Sequence, residues 1–321
     1  MDIKEVITHE LDAVNRYIKN LTNSNISEIS EISRHLISSG GKRIRPYLVI
    51  LSSRIFNVPR EKYIKIASAI ELYHSATLLH DDVVDNAKKR RGTPSANDIW
   101  GNKNSILVGD FLLASSSAII ADMGNQDLLK LFIRVLSLMA EGEIVQLHLS
   151  RNASLTQRDY YTIIKKKTAY LISAACESGP IMGMASSEER FRMRQYGLLI
   201  GIAFQLIDDN IDYISSSQLS GKERGVDLKE GKVTLPVIVA LSNANKQERA
   251  ILKRALKSYN GDKELFNEVY TIIEKYHGFE YTKKKAELFA NKALKLLEGL
   301  PPSSELEELK NFTLTVPERQ A

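Results

Sequence analysis

His74-Ser-Ala-Thr-Leu-Leu-His-Asp-Asp-Val-Val-Asp85, with Arg90-Arg91-Gly92 close behind, decides how the rest of the chain is read. Three aspartates stand in an apolar run that holds no lysine or arginine. Asp81 and Asp85 are four apart, about 40° of helical rotation, so their carboxylates leave one face a turn apart, with Asp82 about 100° to the side. Acidic side chains gathered on one face repel unless a cation sits between them. Hard divalent cations such as magnesium take such oxygen sites and commonly share them with substrate phosphates. His74 precedes Asp81 by two turns on the same face. The spacing recurs in Gln205-Leu-Ile-Asp208-Asp209-Asn-Ile-Asp212. The alternative, two solvated acidic turns near helix ends, sits poorly with flanks as apolar as Thr-Leu-Leu-His and Phe-Gln-Leu-Ile.

The whole chain sets the bounds. Its 321 residues are 43% hydrophobic and 26% charged, the balance of a soluble globular protein. A net charge of +5, without a long basic block, is too slight for a nucleic-acid binder. Cys176 is the one cysteine, so no intramolecular disulfide forms, which suits a reducing cytoplasm. The start, Met-Asp-Ile-Lys-Glu-Val, lacks the basic and apolar pattern of a signal peptide, and no run of eighteen apolar residues predicts a membrane span.

Helical periodicity runs along nearly the whole chain. Ile3, Val6, Ile7, Leu11, Val14 and Ile18 mark an amphipathic helix over 2–21. A second helix is expected over about 27–38, stopped by Gly40-Gly41, and a third from the first turn at Pro46 to about 56. Longer ones follow at about 60–86, 97–122, 127–150, 156–184 and 188–214, then shorter ones at 233–242, 246–258, 262–276, 278–298 and 303–314. Residues 87–95 and 215–232 read as polar loops, each directly after an acidic motif. Strand patterns are nearly absent. The expectation is an all-α chain folded as a single domain over 1–321.

Each acidic motif is followed by basic residues: Lys88, Lys89, Arg90 and Arg91 after the first, and Lys222, Arg224, Lys229 and Lys232 after the second. Lys42, Arg43 and Arg45 stand at a helix N-terminus, and Lys165-Lys166-Lys167 precede Thr168. Metal-bearing carboxylates with lysines and arginines make a diphosphate clamp. Neither a Walker loop nor a Gly-x-Gly-x-x-Gly element is present, which argues against a nucleotide in a P-loop or Rossmann fold.

At this point the chain resembles the trans-prenyl diphosphate synthases, and within them the octaprenyl type. The landmarks are Gly40-Gly-Lys-Arg-Ile-Arg-Pro46, the Asp81–Asp85 stretch, Arg90-Arg91-Gly92, Val108-Gly-Asp110, Glu141-Gly-Glu-Ile-Val-Gln146, Lys167-Thr168-Ala169, Phe204-Gln-Leu-Ile-Asp-Asp209 and Gly225-Val-Asp-Leu-Lys-Glu-Gly-Lys-Val-Thr-Leu-Pro236. The resemblance implies a helical bundle of the isoprenoid synthase type with a central active-site cavity. It implies magnesium, three ions per site, held by Asp81, Asp82, Asp85, Asp208, Asp209 and Asp212. It further implies that Arg90, Lys167, Lys222 and Lys232 stabilise the departing diphosphate of an allylic substrate, farnesyl or geranylgeranyl diphosphate. Lys42, Arg45, His74 and Arg91 hold the diphosphate of isopentenyl diphosphate, and Thr168 and Gln205 line the allylic cation. A homodimer and a product destined for a quinone side chain belong to the same implication. The spacing agrees in one respect: Gln205, Asp208 and Asp212 fall on one helix face. Arg43, Lys89, Lys165 and Lys166 read as solvent-facing, His80 as structural, and Tyr73 and Met139 as core.

Product length in such enzymes is set just upstream of the first motif, where short-chain members carry a bulky aromatic. Here Ala76 and Thr77 are small, which predicts an open path for a growing tail and a product of about octaprenyl length. The alternatives are a close helix contact at Ala76, a floor from Phe132, Val135 or Leu136, and a geranylgeranyl product. A terpene cyclase is disfavoured because the second motif repeats aspartates. A non-catalytic partner subunit is disfavoured because no aspartate is missing, and a helical scaffold leaves the motifs without a purpose.

Overall fold

The structure, a computed structural model, describes residues 3–38, 40–214 and 224–319. It divides into two compact units. The first comprises Met1–Arg134, Ala174–Arg194 and Gly299–Leu309, the second Val135–Ser173, Gln195–Glu298 and Lys310–Ala321. The described residues are all-α, apart from one two-residue β-ladder.

In the first unit, α1 (Ile3–Leu21), α2 (Ser27–Ser38), α3 (Ile44–Ile55), α4 (Arg60–Val84) and α5 (Ala96–Asp122) begin and end within about two residues of the expected bounds. The apolar stripe of α1 buries Ile7, Val14 and Ile18. α4 is buried around most of its circumference, through Ile66, Ala69, Ile70, Leu72, Tyr73, Ala76 and Leu79, so it is the core helix of this unit. Each large aliphatic side chain buried there contributes about 1.5–3 kcal/mol. α5 lies along α4, with Ser116 Oγ donating to the Ala69 carbonyl at 2.8 Å. Gly109 makes the approach close: a Cβ there would stand 2.4 Å from His80 Nε2. By length and composition α5 could cross a membrane, and 39% of its apolar window is buried.

The end of α4 is defined by its own sequence. Asn86 takes the left-handed conformation (φ 49°), and the Ala87 N–H closes onto the Asp82 carbonyl at 2.9 Å, a Schellman-type stop. Residues 87–95, expected as a loop, contain a hairpin instead. Lys89–Arg90 (β1) pairs antiparallel with Thr93–Pro94 (β2). Arg91 (φ 51°) and Gly92 (φ 82°) form the two-residue turn, and positive φ at both central positions matches the right-handed strand twist.

In the second unit, the helix expected over 156–184 is interrupted. A capping box of Thr156 and Asp159 starts α7 (Gln157–Ile164), a π-helical turn covers Lys165–Ala169, and α8 (Tyr170–Met182) follows, its residues from Ala174 onward belonging to the first unit. α9 (Ser187–Ile214) carries the second acidic motif at its end. The irregular stretch after it holds a short helix, α10 (Val226–Lys229). Then come α11 (Leu235–Asn243), α12 (Lys246–Ser258), α13 (Lys263–Lys275), α14 (Gly278–Leu297) and α15 (Ser304–Thr315). Tyr213, fully buried, stacks on Phe266 with centroids 6.2 Å apart and so anchors the end of α9.

Helix contact through glycine sets the spacing of the first unit. A Cβ on Gly179 of α8 would lie 2.4 Å from the Ser52 carbonyl carbon of α3. Backbone cannot yield there as a side chain can, so Gly179→Ala is expected to lose about 1–3 kcal/mol in urea unfolding. An unchanged midpoint would show that α3 and α8 separate freely.

Candidate functional site

The first unit assembles a basic cluster. His74, half-buried on α4, is held well below the usual histidine range by burial first, then by the charges of Arg45, Arg91, Arg90 and Arg43. It is therefore neutral at pH 7 and able to donate a hydrogen bond without adding charge. Arg45 comes from the first turn of α3, and Arg91 from the hairpin tip. Burial and the nearby Arg90 lower the Arg91 pKa, while Glu71 opposes them. Lys42 lies exposed in the segment before α3. Arg43 requires a correction: it is not solvent-facing, because its guanidinium is 14% exposed and ion-paired with the buried Glu71. Lys89 is exposed, as expected.

The three aspartates of the first motif divide. Asp81 and Asp85 are half-buried. Asp82, 1% exposed, accepts Arg90 Nε at 2.7 and 2.9 Å, with Arg90 Nη2 2.5 Å away. The hairpin thus fixes Arg90 through an acid of the motif itself. Ala76 is 1% exposed, and Thr77 donates its hydroxyl to the His74 carbonyl at 2.8 Å. His80 Nε2 lies 3.3 Å from Asp110 Oδ1. Tyr73 and Met139 are core residues.

The second unit encloses a cavity of about 110 Å³. Lys167, Thr168, Gln205, Asp209, Asp227 and Lys232 contribute to its polar wall, so three stretches of sequence meet in one place. The π turn presents Lys167 and Thr168, and two glycines let neighbouring helices close on it. A Cβ on Gly142 would stand 2.7 Å from Lys166 Cβ, and one on Gly201 2.7 Å from Ala169 Cα. Lys167 Nζ lies 2.7 Å from Glu143, and Lys166 pairs with Glu141 at 2.6 Å.

A polar chain crosses the cavity wall. The Thr168 hydroxyl donates to Gln205 Oε1 at 2.7 Å, Gln205 Nε2 donates to Asp209 Oδ1 at 2.7 Å, and the Tyr160 hydroxyl donates to Asp209 Oδ2 at 2.5 Å. The hydrogen-bond partner of Gln205 on its own helix is Asp209, and Asp208 lies 2.9 Å from Arg319 Nη1. The Arg319 guanidinium sits 4.0 Å over the Phe204 ring. Asp212 accepts the Val226 and Asp227 amides at 3.2 Å each, capping α10. Lys232 lies 3.9 Å from Asp227 and pairs with Glu230. Lys222 lies outside the described residues. Asp227 and Arg319 were not foreseen; Asp227 stands within a quoted landmark, whereas no local pattern marks Arg319.

These carboxylates burden one another. Burial, then the charge of Asp227, lifts Asp209 to about 8 against two hydrogen bonds that favour the anion, and the same two causes raise Asp212 well above the carboxylate range. A divalent cation fits this donor set because it removes the repulsion. Among the described residues no three acidic, imidazole or thiol groups form a closed cage. Magnesium needs only one or two protein carboxylates beside phosphate oxygens.

The comparisons with known proteins place the chain in a family. The polyprenyl synthetase family model matches residues 26–273. The chain belongs to this family. It is 35% identical to octaprenyl diphosphate synthase of Escherichia coli K12 over 96% of this chain and 95% of that protein. It is 33% identical to geranylgeranyl diphosphate synthase of Saccharolobus solfataricus over 98% of each. A crystal structure of polyprenyl synthase from Caulobacter crescentus, complexed with calcium and isoprenyl diphosphate, superposes with a TM-score of 0.94 at 34% identity, covering 99% of this chain and 97% of that one. The fold is the all-helical isoprenoid synthase fold, and this polyprenyl synthetase is a prenyltransferase of isoprenoid biosynthesis.

Asp209 gives a test of cation binding. Its carboxyl is raised in the folded state, so the folded protein holds the proton as pH rises from about 4 towards 8 and this group's contribution to stability falls across that window. Magnesium should therefore raise the melting temperature more at pH 8.5 than at pH 5.5. Asp209→Asn should flatten that dependence. An equal magnesium effect at both pH values in the parent protein would discount the carboxylate as a cation ligand.

Proposed function

We propose that this prenyltransferase condenses isopentenyl diphosphate onto farnesyl or geranylgeranyl diphosphate and repeats the step to an all-trans chain of about octaprenyl length. The observation that carries the reading is the cavity in which Lys167, Thr168, Gln205 and Lys232 share a wall with Asp209. It offers ammonium groups to a diphosphate and uncharged dipoles to a carbocation.

The aspartates of each motif are assigned to magnesium, about three ions by the family resemblance. Both motifs close helices whose last turns carry no basic residue, so helix carbonyls and carboxylates add their negative charge. When bound, magnesium supplies charge neutralisation that makes the diphosphate a better leaving group. Lys167 and Lys232, with Arg90 and Lys222, balance the charge that builds as the allylic carbon–oxygen bond breaks. Thr168 and Gln205 turn oxygen dipoles to the allylic cation. The double bond of isopentenyl diphosphate attacks that cation, a carbon–carbon bond forms, and a proton leaves the condensed product for the departed diphosphate. Lys42, Arg45, His74 and Arg91 hold the diphosphate of the attacking substrate; His74, being neutral, serves as a donor without repelling the arginines.

Ala76 and Thr77 leave room for the growing tail. A geranylgeranyl product is the second reading, favoured by the likeness to the Saccharolobus enzyme. We assign both units to one catalytic domain acting in the cytoplasm. On α5, Ile106 and Leu107 are 41 and 65% exposed, a face suited to a second copy in a homodimer. A sedimenting mass of one chain would remove the dimer. An unchanged quinone tail in cells lacking the protein would remove the assignment to quinone synthesis.

Purified protein given farnesyl diphosphate, labelled isopentenyl diphosphate and magnesium should yield a product near forty carbons, and a chelator should abolish it. Consumption of farnesyl diphosphate without isopentenyl incorporation would point to a cyclase. Ala76→Tyr should shorten the product, and an unaltered product profile would overturn the open path at Ala76.

A further inference from the structure

Arg43 and Glu71 have no part in the roles assigned above, yet their charges act on His74 and Arg91 of the basic cluster. Glu71 is 5% exposed on α4, one turn before His74. Its carboxylate is ion-paired with Arg43 Nη1, while Arg43 Nη2 donates to the Ile37 carbonyl at 2.8 Å. Both ends of the guanidinium fork are thus engaged by protein acceptors, and the group does not offer a bidentate grip to a substrate. The Arg43 backbone is left-handed (φ 46°) and lies between Lys42 and Arg45, at the entry to α3. A non-glycine residue holds that conformation when its surroundings fix it, and here the side-chain contacts do so.

The pair therefore joins two elements. One is the segment that carries Lys42 and Arg45; the other is the face of α4 that carries His74. Glu71 is also the acid whose charge reaches Arg91, against the like charges of Arg90 and Arg43. The charges of four arginines bear on one imidazole, and the buried Glu71 anion, paired with Arg43 and acting on Arg91, offsets part of that repulsion before any substrate arrives.

We infer that Glu71 is a positioning residue: through Arg43 it fixes Lys42, Arg45 and His74 relative to one another and preforms the anion site that takes the diphosphate of isopentenyl diphosphate. Glu71 itself makes no contact with the substrate. The inference rests on the reading of this cluster as the second diphosphate site, and it adds the residue that organises it.

Steady-state kinetics with isopentenyl diphosphate varied at saturating farnesyl diphosphate tests it. Glu71→Gln keeps the shape and removes the charge. It should raise KM for isopentenyl diphosphate about tenfold, the scale of a lost charge-assisted hydrogen bond, with kcat and the KM for farnesyl diphosphate within about twofold. Glu71→Asp should recover most of the loss. Arg43→Lys should behave like Glu71→Gln, because an ammonium lacks the planar fork that reaches both acceptors. It also decides the matter if Glu71→Gln gives no folded protein by circular dichroism. Arg91→Ala separates the two levels of the argument. A raised KM there with a folded, unaffected Glu71→Gln overturns the role of Glu71 alone. An unaffected KM in Arg91→Ala overturns the diphosphate site, and the role of Glu71 with it. Equal losses in kcat and in both KM values would mark a general structural role and also overturn the inference.

Discussion

Carboxylates gathered at the negative end of a helix, beside one another and only partly in water, are the constraint around which this protein is arranged. Asp81, Asp82 and Asp85 close α4, and Asp208, Asp209 and Asp212 close α9, with no basic residue in either last turn. A fold under no other demand would place lysine or arginine there. Each unit instead recruits partners from separate elements. The hairpin brings Arg90 to Asp82, and α10 turns two amides to Asp212. Tyr160 and Gln205 donate to Asp209, and Arg319 approaches Asp208. Such partners soften the repulsion without cancelling it, since Asp209 and Asp212 still hold their protons far above the ordinary range. Unrelieved strain of this kind belongs at a functional site.

The glycines of the second unit serve the same end from the side of the cation-bearing residues. A π turn displaces Lys167 and Thr168 from the positions a regular helix would give them, and it survives because Gly142 and Gly201 let α6 (Gln126–Leu149) and α9 pack directly against it. The turn presents the Thr168 hydroxyl that donates to Gln205. The irregular turn is thus the local form that the cavity wall requires.

Much of this was legible in the sequence. Helices follow from the 3.6-residue rhythm, and both acidic motifs lie on helices as their spacing demands. What escaped is of two kinds. The hairpin at Lys89–Pro94 and the π turn are too short to leave a periodic trace. Arg43, Asp227 and Arg319 are known by their partners, and those partners are remote in sequence: Glu71 for Arg43, the α9 aspartates for the other two. Arg43 shows the difficulty best. Between Lys42 and Arg45 it looks like one more surface cation, and only a buried acid on another helix distinguishes it.

On the proposed function, the cavity wall has to offer uncharged dipoles to an allylic cation close to Asp209. A full negative charge beside an allylic cation would invite capture of that cation, whereas oxygen dipoles lower its energy and leave it reactive towards a double bond. On that reading Thr168 and Gln205 bring such dipoles, and the hydrogen bond between them holds both. The carboxyl group of Asp209 is tied from two directions by Tyr160 and Gln205. Gln205 thereby does two jobs with one amide: its oxygen accepts from the threonine and its nitrogen restrains the acid. A glutamate at that position would lose the second contact and add a charge where the wall needs none. A leucine would lose both contacts, leaving a buried carboxylate short of a donor at about 1–3 kcal/mol. The amide is the side chain that satisfies both neighbours while remaining uncharged.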